Sequence, residues 1–234
     1  MKKLLLSSLI LATAATTAHA DTLYGLYVDG NYWHTSADIT DDGKDRNFDD
    51  KGNFMASASF EHGVPLVPNV RVRYASLNST EPTLTSSNEI DFTSTDAIAY
   101  YELLDNVVSL DVGLGAKRIS GDVKYAGGST MDLDKTMPMA YASVGAKLPF
   151  TGLSAKAELG VGVGSNVKAT DAQAEVKYDF IKTPVFDLGL KGGYRILSVD
   201  YDETKVKYLG SIFGEQTPYK AEFKGPYVGL EAHF

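Results

Sequence analysis

From residue 23 onward, apolar and polar side chains alternate with period two in ten segments of the chain. Period two is the mark of a strand with two unlike faces. In Leu23–His34, Leu26, Val28, Gly30 and Tyr32 share one face, with Asp29 and Asn31 on the other. Asn53–His62 sets Phe54, Ala56, Ala58 and Phe60 against Ser57, Ser59 and Glu61. Asn69–Leu77 sets Val70, Val72 and Tyr74 against Arg71 and Arg73. Ile90–Leu103 is ambiguous in face; Ala97, Ala99, Tyr101 and Leu103 are placed outward, with Asp96 and Glu102 inward. Val107–Ser120, Lys135–Leu148, Leu153–Gly164, Val167–Phe180, Val185–Asp200 and Tyr219–Phe234 continue the pattern. Their polar faces carry Asp111 and Lys117; Lys147; Lys156 and Glu158; Glu175 and Lys177; Asp187, Lys191 and Arg195; and Glu231 and His233.

The connections are of two kinds. Gly63–Pro68, Leu104–Asn106, Pro149–Gly152 and Ile181–Pro184 are short. Thr35–Gly52, Asn78–Glu89, Gly121–Asp134 and Tyr201–Pro218 are long and polar, with a short one at Ser165–Asn166. Short turns at one end and long loops at the other are the layout of an outer-membrane barrel. A soluble barrel of the lipocalin kind shares the alternation but has the apolar face inside. Several apolar faces here run over five or six alternate positions without a charge. At ~3.3 Å per residue, ten to twelve tilted residues cover a hydrocarbon layer of ~25 Å. Tyr32, Trp33, Tyr101, Phe150, Phe180, Phe186, Tyr194 and Phe234 lie near segment ends, where interfacial aromatic girdles are expected. These features place the apolar face outward.

The last segment ends Val228-Gly-Leu-Glu-Ala-His-Phe234. A final strand with alternate apolar residues and a terminal Phe resembles the signal by which the assembly machinery recognises outer-membrane proteins, which makes Phe234 the assembly-signal residue. The stretch Tyr100-Tyr-Glu-Leu-Leu-Asp-Asn-Val-Val-Ser-Leu-Asp-Val-Gly-Leu-Gly115 and the leading Thr22-Leu-Tyr-Gly25 resemble a family of small proteobacterial outer-membrane β-barrel proteins without an assigned function. The resemblance implies a fold and a location, and no chemistry.

The first twenty residues change the picture by adding export. Lys2 and Lys3 precede an apolar stretch, Leu4 to Ala15, and Ala18-His19-Ala20 has the small-x-small form of a cleavage site. The reading is a signal peptide over 1–20 and one barrel domain over 21–234. No run of 18 or more apolar residues follows Ala20, so a closed barrel is the remaining way across a membrane. With 22 Gly, 14 Tyr and 10 Phe the chain has a strand-rich composition, and the absence of Cys excludes disulfides, thiol nucleophiles and Cys-based zinc sites. A net charge of −8 argues against nucleic acid, whose binding depends on Lys and Arg neutralising phosphates.

With the polar faces inward, the lumen carries Asp29, Arg71, Arg73, Asp111, Lys117, Lys156, Glu158, Glu175, Lys177, Asp187, Lys191, Arg195 and Glu231, together with Glu61, Asp96, Glu102 and Lys147. The signs nearly cancel. About 8 strands give a lumen that side chains fill, whereas porin channels need roughly 16 to 18. Pairing that plugs the barrel is one reading, and an isolated ion there would cost several kcal/mol. A narrow polar path is another, supported by Gly113, Gly115, Gly160, Gly162, Gly189 and Gly193 at inward positions, although glycine also serves barrel curvature.

Catalytic chemistry finds little support. His34 lies near Asp38 and Asp41, a candidate base and orienter, with no nucleophile motif beside it; His62 and His233 fall at the opposite end. The acidic stretch Asp38–Lys51 does not match the spacing of a calcium loop, and Gly160-Val-Gly-Val-Gly164 lacks the helix of a nucleotide fingerprint. The sequence therefore predicts an all-β, ten-stranded antiparallel transmembrane β-barrel, with eight or twelve strands as alternatives, after a cleaved signal peptide. The expected function is an integral outer-membrane protein with a structural, surface or interaction role and a largely side-chain-filled polar lumen. A narrow channel or uptake barrel for small polar solutes is the alternative, and a membrane-embedded hydrolase a third. The expected partners are outer-membrane lipid and lipopolysaccharide, the assembly machinery during biogenesis, and a small polar solute as a candidate, with no nucleic acid, metal or cofactor.

Overall fold

A computed structural model describes residues 24–41, 44–82, 87–124, 128, 130–202 and 218–234. The signal peptide expected over 1–20 and the motif residues Thr22 and Leu23 lie outside them. The described chain is all strand: β1 (Tyr24–Asp41), β2 (Lys44–His62), β3 (Asn69–Pro82), β4 (Ser87–Asp105), β5 (Val108–Lys124), β6 (Thr130–Lys147), β7 (Leu153–Val163), β8 (Val167–Lys182), β9 (Asp187–Asp202) and β10 (Pro218–His233). Each strand pairs antiparallel with its sequence neighbours, and β10 pairs with β1 to close the barrel. At the seam Leu26 and Phe234 exchange both main-chain hydrogen bonds, at 3.0 and 2.9 Å. Closure satisfies every edge, which a strand inside lipid requires.

Strands β1 to β6 and β8 are longer than the alternation suggested, while β7, β9 and β10 keep about the expected length. Spanning a bilayer takes about 9–11 tilted residues, and β2 and β4 have 19 each. The connections read as long loops at Thr35–Gly52, Asn78–Glu89 and Gly121–Asp134 are mostly strand: β1 runs to Asp41, β3 to Pro82 and β5 to Lys124. Most of Tyr201–Pro218, residues 203–217, lies outside the described residues.

The reason for the misreading is physical. Along the strands the polarity of the two faces changes places at one level. On β5, outward Val112, Leu114 and Ala116 give way to Arg118 and Ser120, while inward Lys117 gives way to Ile119 and Val123. On β9, outward Ile196 gives way to Ser198 as inward Arg195 gives way to Leu197 and Val199. The same exchange occurs on β1 between Tyr32 and His34 outside and between Asn31 and Trp33 inside. Below this level the barrel is of the outer-membrane type, apolar outside and polar inside. Above it the wall continues as a cylinder with a polar exterior and an apolar core, the arrangement of a barrel in water.

For a barrel in lipid, such an exchange level marks where the hydrocarbon layer ends. An arginine at Val112, within the apolar band of β5, is expected to lower folding stability by ~2–4 kcal/mol, and one at outward Thr95 of β4, above the exchange, by ~0–1 kcal/mol. Urea titration of refolding into lipid vesicles measures both, and equal costs would place the boundary elsewhere.

The aromatic girdle needs one correction. Tyr32, Tyr101, Phe150, Phe180, Phe186, Tyr194 and Phe234 are exposed on the outer wall or at strand ends, but Trp33 is fully buried inside the barrel. Trp33 is one residue after Tyr32, so the pleat turns it to the other face.

Candidate functional site

The interior is the candidate site, and it has three storeys. Uppermost is an apolar cap in which Trp33, Leu77, Phe92, Ile119, Leu197 and Phe223 pack among other buried apolar side chains from most strands. Trp33 Nε1 donates to the Gly225 carbonyl at 3.0 Å, and its ring lies 5.0 Å from the Arg195 guanidinium below. Ala37, Ile39, Phe48 and Val123 of this cap lie in stretches expected to be loop, whereas the six residues named above lie within the expected strand segments.

Beneath the cap lies a closed ion network. Arg73, Asp96 and Lys117 are direct register partners across β3, β4 and β5. Arg73 Nη2 and Lys117 Nζ approach the Asp96 carboxylate at 2.6 and 2.7 Å. Asp171 reaches across from β8 and accepts from Lys117 at 2.9 Å and from Arg195 at 2.8 Å, with Arg73 at 3.5 Å. Glu158 on β7 takes Arg71 at 2.5 Å, Lys156 at 2.9 Å and Arg73 at 3.1 Å, and Gln173 donates to it at 2.8 Å. Lys191 lies 3.2–3.4 Å from Asp29, Glu175 and Glu231, and Tyr227 donates its hydroxyl hydrogen to Glu175 at 2.7 Å. Asp29 also accepts from Asn31 and Ser57. At such burial each ion needs several partners to offset its desolvation, and the network supplies them.

The lowest storey opens among the short turns and the chain's last residue. A cavity of about 480 Å³ is lined by Tyr27, Glu61, His62, Glu102, Asp105, Lys147, Lys177, Asp179, Lys182, Asp187 and His233, among others. It continues into a recess of about 130 Å³ between Asp29, Arg71, Asp111, Lys156, Glu175 and Glu231. Lys177 bridges Glu231 at 2.7 Å and Asp179 at 3.2 Å. The structure thus places Asp29, Arg71, Arg73, Lys117, Glu158, Lys191 and Arg195 in the buried network, and Asp111, Lys156, Glu175, Lys177, Asp187 and Glu231 on or beside the lower cavity.

Two residues at the centre were missed. Asp171, which meets cations from three other strands, shares the inward parity of Gln173, Glu175 and Lys177, a signal present in the sequence. Trp33 was assigned to the wrong face. The inward glycines do not open free space beside them. A Cβ on Gly193 would meet the Tyr227 ring at 2.7 Å, and one on Gly113 would meet Tyr100 Cβ at 2.7 Å; on Gly160 and Gly162 it would meet the Met139 and Met137 sulfurs at 3.0 and 2.9 Å. The space these glycines provide is occupied by neighbouring side chains.

The histidines are apart from one another. His34 faces outward and lies 3.6 Å from Asp50, both about half exposed, and Asp38 is instead 2.8 Å from Lys224. His62 accepts from the Val64 main chain at 3.3 Å, and His233 stacks on Tyr27 with ring centres 4.0 Å apart. Asp38, Asp49 and Asp50 of the acidic stretch sit on strands β1 and β2; Asp42 lies outside the described residues.

No protein-family model and no curated protein matches the chain. Solved structures do resemble its fold. The outer-membrane protease OmpT of Escherichia coli is 10% identical over 95% of this chain and 100% of its own, with a TM-score of 0.49. A FadL homologue of Pseudomonas aeruginosa is 11% identical over 90% of each chain, with a TM-score of 0.41. Ail, the attachment invasion locus protein of Yersinia pestis, solved with a heparin analogue, is 12% identical over 90% of this chain and 99% of its own, with a TM-score of 0.38. Each likeness concerns barrel architecture and carries nothing about chemistry.

Proposed function

We propose that this chain is an integral protein of the bacterial outer membrane, exported behind a signal peptide, whose barrel is closed to solutes and acts through its surfaces. The observation that carries this reading is the stacking of two different barriers in one lumen. Charged side chains are paired across the interior, and an apolar cap lies directly above them. An ion passing upward would meet a core lined mainly by apolar side chains.

The apolar wall has lipid as its partner, and lipopolysaccharide meets the polar cylinder above it. Phe234, seated at the seam, suits recognition of an unclosed strand by the assembly machinery. A narrow path for a small polar solute has lost its main support, since side chains fill the space at the inward glycines. A hydrolase would need a nucleophile beside His34, whose neighbour is Asp50.

The test is single-channel recording in a planar bilayer, after insertion is verified. A silent, inserted barrel is the expected result. Discrete, reproducible steps with ion selectivity would overturn the reading in favour of a channel.

A further inference from the structure

The ion pairing inside the barrel is uneven. In the buried network every lysine and arginine meets carboxylates. On one side of the lower cavity the reverse holds. Glu61 on β2, Glu102 on β4 and Asp111 on β5 have no lysine, arginine or histidine nitrogen within 4 Å among the described residues. Glu61 accepts from the Tyr100 hydroxyl at 2.7 Å, and Asp111 from the Ser143 hydroxyl at 2.5 Å. Asp111 is 7% exposed, yet its side chain forms part of the recess wall. Glu102 and Asp105 line the same recess as Glu61 and Asp111. Lys147, which also lines the recess, is mostly exposed and 3.7 Å from Asp105.

Carboxylates crowded into a partly enclosed space repel one another, and either a proton held between them or a positive charge from outside relieves the repulsion. A bare metal ion does not fit: among the described residues no three His, Asp or Glu side chains are close enough together to hold one. The occupant must instead be large enough to touch separated carboxylates. The cavity has the room, and its lining residues lie at the end of the barrel away from the cap.

We propose that the lower cavity is a blind binding site for a small organic cation carrying ammonium groups, taken from the periplasmic side. Ammonium hydrogens bond Glu61 and Glu102 at the mouth, and Asp111 receives the deeper end, beside Tyr27. The site rests on the reading that the lumen is closed above it. A conducting barrel would overturn that reading, whereas loss of binding in a silent barrel would overturn this one.

The test uses the folded full barrel in lipid nanodiscs with 1,4-diaminobutane as probe and butane-1,4-diol, its neutral counterpart, as control, followed by calorimetry. Saturable binding of the diamine and none of the diol is expected. Glu61→Gln and Asp111→Asn should each weaken the diamine by about tenfold or more, the scale of one charge-assisted hydrogen bond. Glu102→Gln, at the more exposed mouth, serves as the second variant should Asp111→Asn fail to fold. Lys124→Gln, exposed at the opposite end of β5, should leave affinity within about twofold. Absence of saturable binding, equal binding by wild type and all variants, or tighter binding of calcium chloride than of the diamine would each overturn the proposal.

Discussion

Asp171→Asn is expected to be the most damaging single substitution in the barrel interior. The isosteric change removes one negative charge and leaves Lys117 and Arg195 with the acceptor they both reach, at 2.9 and 2.8 Å, now neutral. Lys117 is fully buried and Arg195 nearly so. Removing one partner of such a pair costs ~3–5 kcal/mol, here because Arg195 stays buried with no carboxylate partner among the described residues while Lys117 keeps only Asp96, at 2.7 Å. The expected loss is of that size, read from urea unfolding in vesicles and from reduced heat-resistance of the folded band on gels. Lys117→Met in the same chain should return much of it, since the double change removes one charge of each sign and keeps the volume. A double variant as unstable as Asp171→Asn alone would mean that Asp171 acts chiefly through Arg195 and Arg73.

How much of this was legible in the sequence follows from which rule each feature obeys. Strand number, faces and the identity of most inward charges come from period two alone, because the pleat assigns Arg71, Arg73, Lys191 and Arg195 to one side without regard to what surrounds them. The strand lengths do not come from it. Ala37 and Ile39 obey the same parity as Asp29 and Asn31, but their outward neighbours Ser36, Asp38 and Thr40 are polar, and a polar run beyond an apolar band reads as loop. Only the idea that the faces exchange polarity at the membrane surface turns that run into strand. Ile119 with Val123, Leu197 with Val199 and Ala221 with Phe223 carried the same sign and were available.

The lumen illustrates a second limit. Parity says which side chains enter, and nothing about which of them meet. Arg73, Asp96 and Lys117 are neighbours by register, but Asp171 and Lys117 lie on β8 and β5 and meet only because the barrel closes. The uneven pairing at the lower cavity is likewise a property of the closed ring: a near-balanced count of inward charges conceals Glu61, Glu102 and Asp111 without cations on one side. The glycines show the same limit in reverse. An inward Gly193 permits space or filling equally, and the Tyr227 ring, contributed by the adjacent β10, decides it.

Trp33→Ala addresses the cap. The substitution empties the largest fully buried side chain in the molecule, leaves the Gly225 carbonyl without its indole donor, and removes the ring over which Arg195 lies at 5.0 Å. Core aromatic-to-alanine changes cost about 3–5 kcal/mol, the spread reflecting how far the surroundings collapse. A value in the upper part of that range is expected, because the cap is held by a closed wall that cannot move inward without breaking strand pairs. Trp33→Phe keeps most of the volume and loses the donor, so it should cost nearer 1 kcal/mol, the scale of one hydrogen bond. The same variants distinguish the two barriers. With the ion network intact beneath it, a Trp33→Ala barrel should remain silent in a planar bilayer despite its lower stability. Conductance in Trp33→Ala with silence in Trp33→Phe would assign the seal to the apolar cap, and the charges below would then have to part for a moving ion at ordinary temperature. That outcome conflicts with pairs held at 2.6–2.9 Å on both sides of the barrel, which is why silence is the expected result.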